Sequence, residues 1–329
     1  MTKTRVLISI LNWNKAQETL ECVKSLQSEL LHSRAGILVL VIDNGSNESD
    51  CAGLEEGLKT QSCLLKKLPV NLGFTGGHNV SIKMAIDEGY DFIWLLNNDA
   101  MVEPGALETL LESMQLNPKC GAASPVIYNA DDEHLISSCL RTHDWKDRRY
   151  HDANTLEEAR RTQSESPETV WLVGTAIFFR VQALKQVGLL DDRFFAYYDD
   201  DDIGVRLARK GWYSQCVFAA SVAHCAKRVS GQYPLYFYYL MQRNSLLFWY
   251  KHTPSRNSAL LWVKLVDQAL FNVTRLYQKG LIAQGDAALL GASDFIFSRF
   301  GPPAVDRKIP FALRVLCKIS AIYNTKKLM

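Results

Sequence analysis

The chain has 329 residues, 47% of them hydrophobic and 22% charged, a composition that suits a large core and excludes disorder throughout. Its length fits one large domain or two modest ones. The net charge of +2 is unevenly spread: from Cys225 onward 15 Lys and Arg face 4 Asp and Glu, a balance of +11, against 22 and 31 before it, a balance of −9. A basic tail on an acidic body suits phosphate, nucleic acid or anionic lipid, or is a solvated basic face. The eight cysteines contain no C-x-x-C pair, which points to reduced thiols in the cytoplasm rather than a disulfide framework. Met1 to Arg5 run straight into a strand-like segment, so no signal peptide is expected. Ala259 to Val273, the most apolar stretch of the tail, is interrupted by Lys264 and Asp267 and is too short to span a bilayer. The expected location is cytoplasmic, at most peripheral on the inner face of the membrane.

In chain order, Val6 to Leu11 reads as a buried strand and Ala16 to Leu31 as a helix with Leu20, Val23, Leu26 and Leu30 on one face. Gly36 to Ile42 is a second strand that stops at Asp43-Asn-Gly-Ser46, and Leu64 to Leu68 a weaker third. A helix follows over about Gly77 to Glu88, then a fourth strand over Asp91 to Leu96. Pro104 suits the first turn of a helix carrying Leu107, Leu110 and Leu111. Uninterrupted apolar strands separated by helices predict an α/β fold with a mostly parallel sheet covered on both faces. Ligands of such sheets bind beyond the carboxyl ends of the strands, where Asn12, Asp43 and Asn97-Asn-Asp99 fall. Residues from about Asn129 to Pro167 are polar and without period, which reads as an irregular excursion over the acceptor side. Order returns with Val170 to Phe179, a helix from Val181, and a strand-like Trp212 to Phe218. Beyond Tyr233 the pattern is helical, broken by Gly and Pro.

Four clusters carry chemistry. The carboxylate of Asp43 can accept hydrogen bonds from a base or ribose, although Asp-Asn-Gly is also ordinary turn chemistry. Asn71-Leu-Gly-Phe-Thr-Gly-Gly-His-Asn79 is a glycine-rich stretch before a helix, a place where backbone N–H groups approach an anion. It matches neither the G-x-G-x-x-G nor the P-loop fingerprint. Asn97-Asn-Asp99 offers oxygen ligands to Mg2+ or Mn2+, and Asn97 and Asp99 share one side if strand geometry continues past Asn97. Asp199-Asp-Asp-Asp202 places four mutually repelling acids between Phe194-Phe-Ala-Tyr-Tyr198 and Ile203, where crowding and burial raise a carboxyl toward the range of a general base. Part of that run also suits a helix N-terminus. His224 lies downstream, just before Lys227 and Arg228.

Taken in order, these pieces resemble the family-two glycosyltransferases of GT-A fold, particularly bacterial rhamnosyltransferase-like members. The resemblance rests on Ile10-Leu-Asn-Trp-Asn14, Val41-Ile-Asp-Asn-Gly-Ser46, the glycine-rich stretch, Leu95-Leu-Asn-Asn-Asp99, Gly174-Thr-Ala, and Phe194 through Ile203 with Arg206. It implies a catalytic domain over residues 1–225, with a nucleotide-binding half over about 1–100 and an acceptor-side half over about 101–225. A basic helical region would occupy 226–329. Carried over by motif, Asn12, Asp43, Asn71, Gly76, Gly77, Asn97 and Asn98 would meet the nucleotide-sugar, and Asp99 with His224 a Mg2+ or Mn2+ ion. Asp200 would be the base, and Asp199 and Trp171 would lie on the acceptor side. The chain departs from the family in having Asp199 where Glu is usual, Asp201 where an apolar residue is usual, and Asn97 at the first position of the D-x-D signature.

The activity implied is an inverting, metal-dependent transfer of rhamnose or a similar sugar from dTDP-rhamnose or a UDP-sugar. The implied acceptor is a glycan or polyprenyl-linked molecule of cell-surface polysaccharide synthesis. The basic tail would meet the inner-membrane surface, with Trp249, Tyr250, Trp262 and Tyr277 at the interface. The alternatives for that tail are a packed helical appendage and a homodimer contact. Two other classes fit parts of the pattern. A nucleotide-sugar nucleotidyltransferase needs a glycine-rich loop with Arg or Lys after the first strand, where this chain has Asn12-Trp-Asn-Lys15. A non-catalytic nucleotide-binding protein fits the tail, but no nucleic-acid signature is present, and nucleic acid is not an expected partner.

Overall fold

The computed structural model describes residues 3–153, 155–225, 233–317 and 319. The chain divides into two compact units, Met1–Asp191 with Asp199–Lys227, and Asp192–Tyr198 with Arg228–Met329. Lys227 and Arg228 lie outside the described residues.

The first unit contains β1 (Arg5–Asn12), α1 (Ala16–Ser25), α2 (Gln27–His32), β2 (Gly36–Asn44), α3 (Glu48–Leu58), β3 (Leu64–Leu68), α4 (Gly73–Asp87) and β4 (Phe92–Asn97). It continues through β5 (Ala100–Val102), α5 (Ala106–Leu116), β6 (Cys120–Asn129), β7 (Asp132–Ser138), β8 (Arg141–Asp144), β9 (Arg149–Asp152) and α6 (Leu156–Glu165). It closes with β10 (Ala176–Arg180), α7 (Val181–Val187), α8 (Asp199–Arg209) and β11 (Tyr213–His224). The main sheet runs β3-β2-β1-β4-β10-β6-β11-β5, with β7 on β6.

β1 shows why this sheet forms. Val6, Ile8 and Ile10 enter one core with Leu107 and Leu110, while Leu7 enters the other with Ile82 and Ile93, so alternation puts apolar groups on both faces. β3, β2, β1 and β4 pair in parallel, and β6 pairs in parallel with β11. β10 runs antiparallel between β4 and β6, so the sheet is parallel on its first side and mixed beyond β4. In register, Asn12 lies opposite Asp43, and Leu11 opposite Asn97. The carboxyl ends of β1, β2 and β4 are therefore level, and their polar residues share one edge.

Three local expectations change. The helix read over Ala16 to Leu31 is two helices meeting at Leu26. α4 begins at Gly73 rather than Gly77, so the glycine-rich stretch is mostly helix rather than loop. The stretch from Asn129 to Pro167 is not irregular: it holds β7, the β8–β9 hairpin and α6. Its strands are short and polar, and β8 is half-buried along its length, so no period-two signal marks it.

The second unit is helical, with α9 (Leu235–His252), α10 (Ser258–Gln278) and α11 (Ile282–Ile296). Gly291 lets α11 approach the carbonyl of Tyr239 on α9, a space that a Cβ would fill. Arg243 and Asn244 are fully buried on α9 and bond the 192–198 segment. The Asn244 amide donates to the carbonyls of Phe194, Ala196 and Tyr197 at 2.7–3.0 Å, and Arg243 donates to those of Arg193 and Phe194 at 3.1 and 2.9 Å. These bonds hold a segment whose Phe195, Tyr197 and Tyr198 all have left-handed backbone (φ 65–67°), a conformation bulky residues rarely adopt. Trp249, read from sequence as an interface residue, is 5% exposed, and the Tyr277 hydroxyl donates to Asp286 at 2.6 Å. Apolar side chains that do face outward include Tyr250 on α9, Leu260 and Val263 on α10, and Phe311, Leu316 and Ile319 after α11. Among the described residues, no helix is long and apolar enough to cross a membrane and no disulfide forms.

Candidate functional site

At the level strand ends, buried Asn12 organises the polar groups. Its amide donates to Asp43 Oδ1 and Asp50 Oδ2 at 2.9 Å and to Ser46 Oγ at 3.1 Å. Its carbonyl accepts from Thr19 Oγ1 at 2.8 Å, and Thr19 in turn accepts from the Asn98 amide at 3.0 Å. One chain of neutral donors thus links the ends of β1, β2 and β4. Asp43 keeps acceptor capacity beyond its bond to Asn12, which suits ribose hydroxyls or a base N–H. Asp50 and Thr19 were not singled out in the sequence. Asp50 Oδ1 also accepts from the N–H of Ala16 at 2.9 Å, so it holds the start of α1, and in sequence it looks like any acid in a helix's first turn.

Beyond β4 the backbone turns, so Asn97 and Asp99 do not continue a strand alternation. β5 instead pairs with the end of β11, setting Ala100 opposite His224. His224 Nε2 stands 3.1 Å from Asp99 Oδ1, a buried carboxylate oxygen that makes no hydrogen bond. A carboxylate oxygen and an imidazole nitrogen at that separation, without a hydrogen bond to satisfy the oxygen, fit the donor set of a divalent cation. Among the described residues no group of three or more His, Cys, Asp or Glu is gathered for a metal. A pair of protein ligands is the arrangement in which Mg2+-type ions take their remaining oxygens from phosphates and water.

The acids of α8 are sorted by their partners. Asp202 is fully buried against Arg206 Nε at 2.8 Å, a pair one helical turn apart that fixes the helix. Asp201 is 2% exposed, with Arg141 Nη1 3.2 Å from Oδ2 and His143 Nε2 2.8 Å from Oδ1. Asp200 is partly exposed and accepts from two backbone amides, Gly174 and Asp201, each at 2.9 Å. Burial, and then the charge of Asp201, push its carboxyl up to about 6, against the lowering pull of Arg141 and the amides. Asp199 is buried, and burial followed by repulsion from Asp200 holds it well above the usual carboxylate range. Of the four, Asp200 combines access with a raised carboxyl, the combination that general-base chemistry at neutral pH requires.

The other residues named from the sequence have partners of their own. Asn71 accepts from the Asn44 amide and the N–H of Gly73 at 3.0 and 2.7 Å, tying β2 to the start of α4. Gly76 and Gly77 sit inside α4, where a Cβ would run into Leu72 and Leu11 respectively, so these glycines serve close packing of the helix. His78 is also core: it bonds Ser9 Oγ at 2.9 Å, and burial lowers it to about 3, leaving it neutral. Trp171 is 5% exposed, with its ring against Gly204 and 5.1 Å from that of His143.

A sequence model of the family described as Glycosyl transferase family 2 matches residues 7–188, more than half of the chain. An N-acetylglucosaminyl-diphospho-decaprenol L-rhamnosyltransferase of Mycobacterium tuberculosis is 29% identical over 236 residues, covering 64% of this chain and 73% of that protein. The galactofuranosyltransferase GlfT1 of Mycolicibacterium smegmatis is 28% identical over 233 residues, covering 68% and 73%. Among solved structures, the mannosyltransferase PcManGT of Pyrobaculum calidifontis, in complex with GDP-Man and Mn2+, aligns with a TM-score of 0.56 at 13% identity. That alignment covers 98% of this chain and 85% of that one. TarS 1–349 of S. aureus aligns with a TM-score of 0.52 at 13% identity, covering 97% and 87%. These likenesses establish the GT-A fold.

Proposed function

The chain belongs to glycosyl transferase family 2, a family of sugar transferases, and from that premise we propose that it performs an inverting, metal-assisted transfer from a nucleotide-diphosphate sugar. The observation that carries this reading is the level edge of β1, β2 and β4, where Asn12, Asp43 and Asn98 form one hydrogen-bonded set and Asp99 faces His224. Asp43 takes the base or ribose. Asp99 and His224 would hold Mg2+ or Mn2+, which supplies positive charge against the diphosphate. Asp200 accepts the proton of an acceptor hydroxyl as that oxygen attacks the anomeric carbon from the face opposite the diphosphate. Asn97, Asn98 and Asn71 border the donor, and Asp199 the acceptor side. The family membership sets aside the nucleotidyltransferase and the non-catalytic binder.

The donor proposed is dTDP-rhamnose, with UDP-sugars next, and the acceptor a glycan or polyprenyl-linked sugar in cell-surface polysaccharide synthesis. The rhamnosyltransferase and galactofuranosyltransferase relatives support that class. A thermal-shift screen of nucleotide sugars with and without Mn2+ tests it, since a ligand at a hundredfold excess over its Kd stabilises the folded chain by about 2.7 kcal/mol. The proposed donor should raise the melting temperature, more so with Mn2+; no shift with any nucleotide sugar would contradict the reading. For the acceptor we propose delivery at the inner face of the membrane, where Leu260, Val263, Phe311, Leu316 and Ile319 would enter the interface beside Lys264, Lys308 and Arg314. Flotation with anionic vesicles should carry the protein upward, and a Phe311→Asp variant should float less. Equal flotation with neutral vesicles, or none with either, would remove the membrane from the proposal.

A further inference from the structure

Both amides that hold Asp200 trace back to one residue on the β8–β9 hairpin. Arg141 exchanges backbone hydrogen bonds with Trp171 in both directions, at 2.9 and 2.8 Å, which registers the segment leading to Gly174. The Gly174 N–H reaches Asp200 Oδ2. Through its side chain, Arg141 holds Asp201 Oδ2 at 3.2 Å, while His143 Nε2 stands 2.8 Å from Oδ1. The N–H of Asp201 in turn reaches Asp200 Oδ1. The guanidinium is itself fixed, by Asp152 at 2.7 Å on β9 and by the ring of Tyr150, 4.1 Å from its centroid. A flexible surface cation would not be built in this way: its fork is engaged by two carboxylates on different elements, and its backbone is in a bridge.

Resting on the reading of Asp200 as the base, we propose that Arg141, with His143, is its positioning residue: the hairpin engages Asp201 and sets the 171–174 segment, so that Asp200 alone of the acidic turn is left to take the acceptor proton. Arg141 and His143 both face Asp201. The charged and titratable groups around Asp200 are Asp199, Asp201 and Asp202 on α8, Arg141 and His143 on β8, and Tyr150 and Asp152 on β9, with Arg206 engaged by Asp202. Two changes within this set act on Asp200 in opposite directions. Removing the Arg141 charge raises its carboxyl, and removing the Asp201 charge lowers it.

The test compares Arg141→Gln, Arg141→Lys, Asp201→Asn and the parent chain. The readouts are release of nucleoside diphosphate from dTDP-rhamnose, or from the UDP-sugar the thermal screen selects, with Mn2+ across pH 4.5–9, and melting temperature across the same range. Arg141→Gln should lower kcat by roughly tenfold to a hundredfold, the scale of a base misplaced by about an ångström, with donor KM within about twofold of the parent. Its acid limb should move to higher pH, that of Asp201→Asn to lower pH, and Arg141→Lys should recover part of kcat. The melting comparison needs no substrate: the pH at which stabilisation by Asp200→Asn levels off, and the size of that plateau, should rise when Arg141→Gln is added. An unmoved acid limb and an unmoved melting plateau in folded Arg141→Gln would overturn the positioning role. If Arg141→Gln does not fold, Arg141→Lys with full parental kcat and Asp201→Asn with an unmoved limb would overturn it equally. Failure of the base reading is separately visible, as near-normal turnover by Asp200→Asn.

Discussion

Asp43 and Asp50 are held at the edge formed by the ends of β1, β2 and β4 by a neutral amide, Asn12, whereas Asp201 and Asp202 on the acidic turn are each held by an arginine. A neutral partner orients a carboxylate without cancelling its charge, so that edge keeps its negative potential for ligand hydroxyls and a cation. A half-buried arginine does the opposite: it neutralises the acid and makes it structural. Between these two treatments stands Asp200, bonded by backbone amides and raised by burial. The contrast teaches that acids in one molecule are given different roles by their partners rather than by their number.

The comparison can be broken most sharply at Asp200. Asp200→Asn should lower kcat by about a thousandfold, within the range of general-base catalysis, while calorimetry finds donor affinity nearly unchanged. At the edge of β1, β2 and β4, Asp99→Ala should weaken Mn2+-dependent nucleotide affinity by roughly tenfold to a hundredfold and leave metal-free affinity as it was, because the lost group meets the cation rather than the base. An equal loss with and without Mn2+ would place Asp99 outside the metal's reach. The loop between Asp43 and Ser46 depends on Gly45, which has φ +72° and whose Cβ would come within 2.5–2.7 Å of the Val70 and Asn71 backbone. Gly45→Ala should therefore destabilise the chain by about 1–3 kcal/mol and loosen donor binding, read by denaturant titration and the thermal screen.

A further effect is confined to one pH window. The folded chain raises the Asp200 carboxyl from 3.8 to about 6, so the folded state binds this proton more tightly than the unfolded state. Its contribution to stability is present at low pH and is lost as pH rises between those values. Asp200→Asn should stabilise the chain by about 1–3 kcal/mol above pH 7 and by nothing below pH 4, as seen in melting curves. No such crossover would mean that the acid turn does not strain Asp200.

The polar edge at the ends of β1, β2 and β4 was legible because uninterrupted apolar strands such as Val6 to Leu11 announce burial on both faces, and Asn12, Asp43 and Asp99 lie where those strands stop. The family resemblance named Asp99 and His224 as metal contacts; their approach to 3.1 Å follows from β5 pairing with β11, which no local pattern reveals. The glycine-rich stretch was legible as glycine-rich but not in its cause. At Gly76 and Gly77 that cause is contact with Leu72 and Leu11. Arg141 and His143 stayed hidden because β8 is short and polar and its partner Asp201 lies far along the chain. Arg243 and Asn244 were not singled out, because the carbonyls that they bond, those of Phe194 and its neighbours, lie far from them along the chain.

The most direct test of sugar transfer at this site is NMR of the complete reaction, following the anomeric signal of dTDP-rhamnose, or of the UDP-sugar the screen selects, in the parent chain and in Asp200→Asn. The parent should form one glycoside whose anomeric configuration is opposite to that of the donor, with stoichiometric release of nucleoside diphosphate, and Asp200→Asn should form almost none. Product of retained configuration, or undiminished product from Asp200→Asn, would contradict inverting transfer at this site.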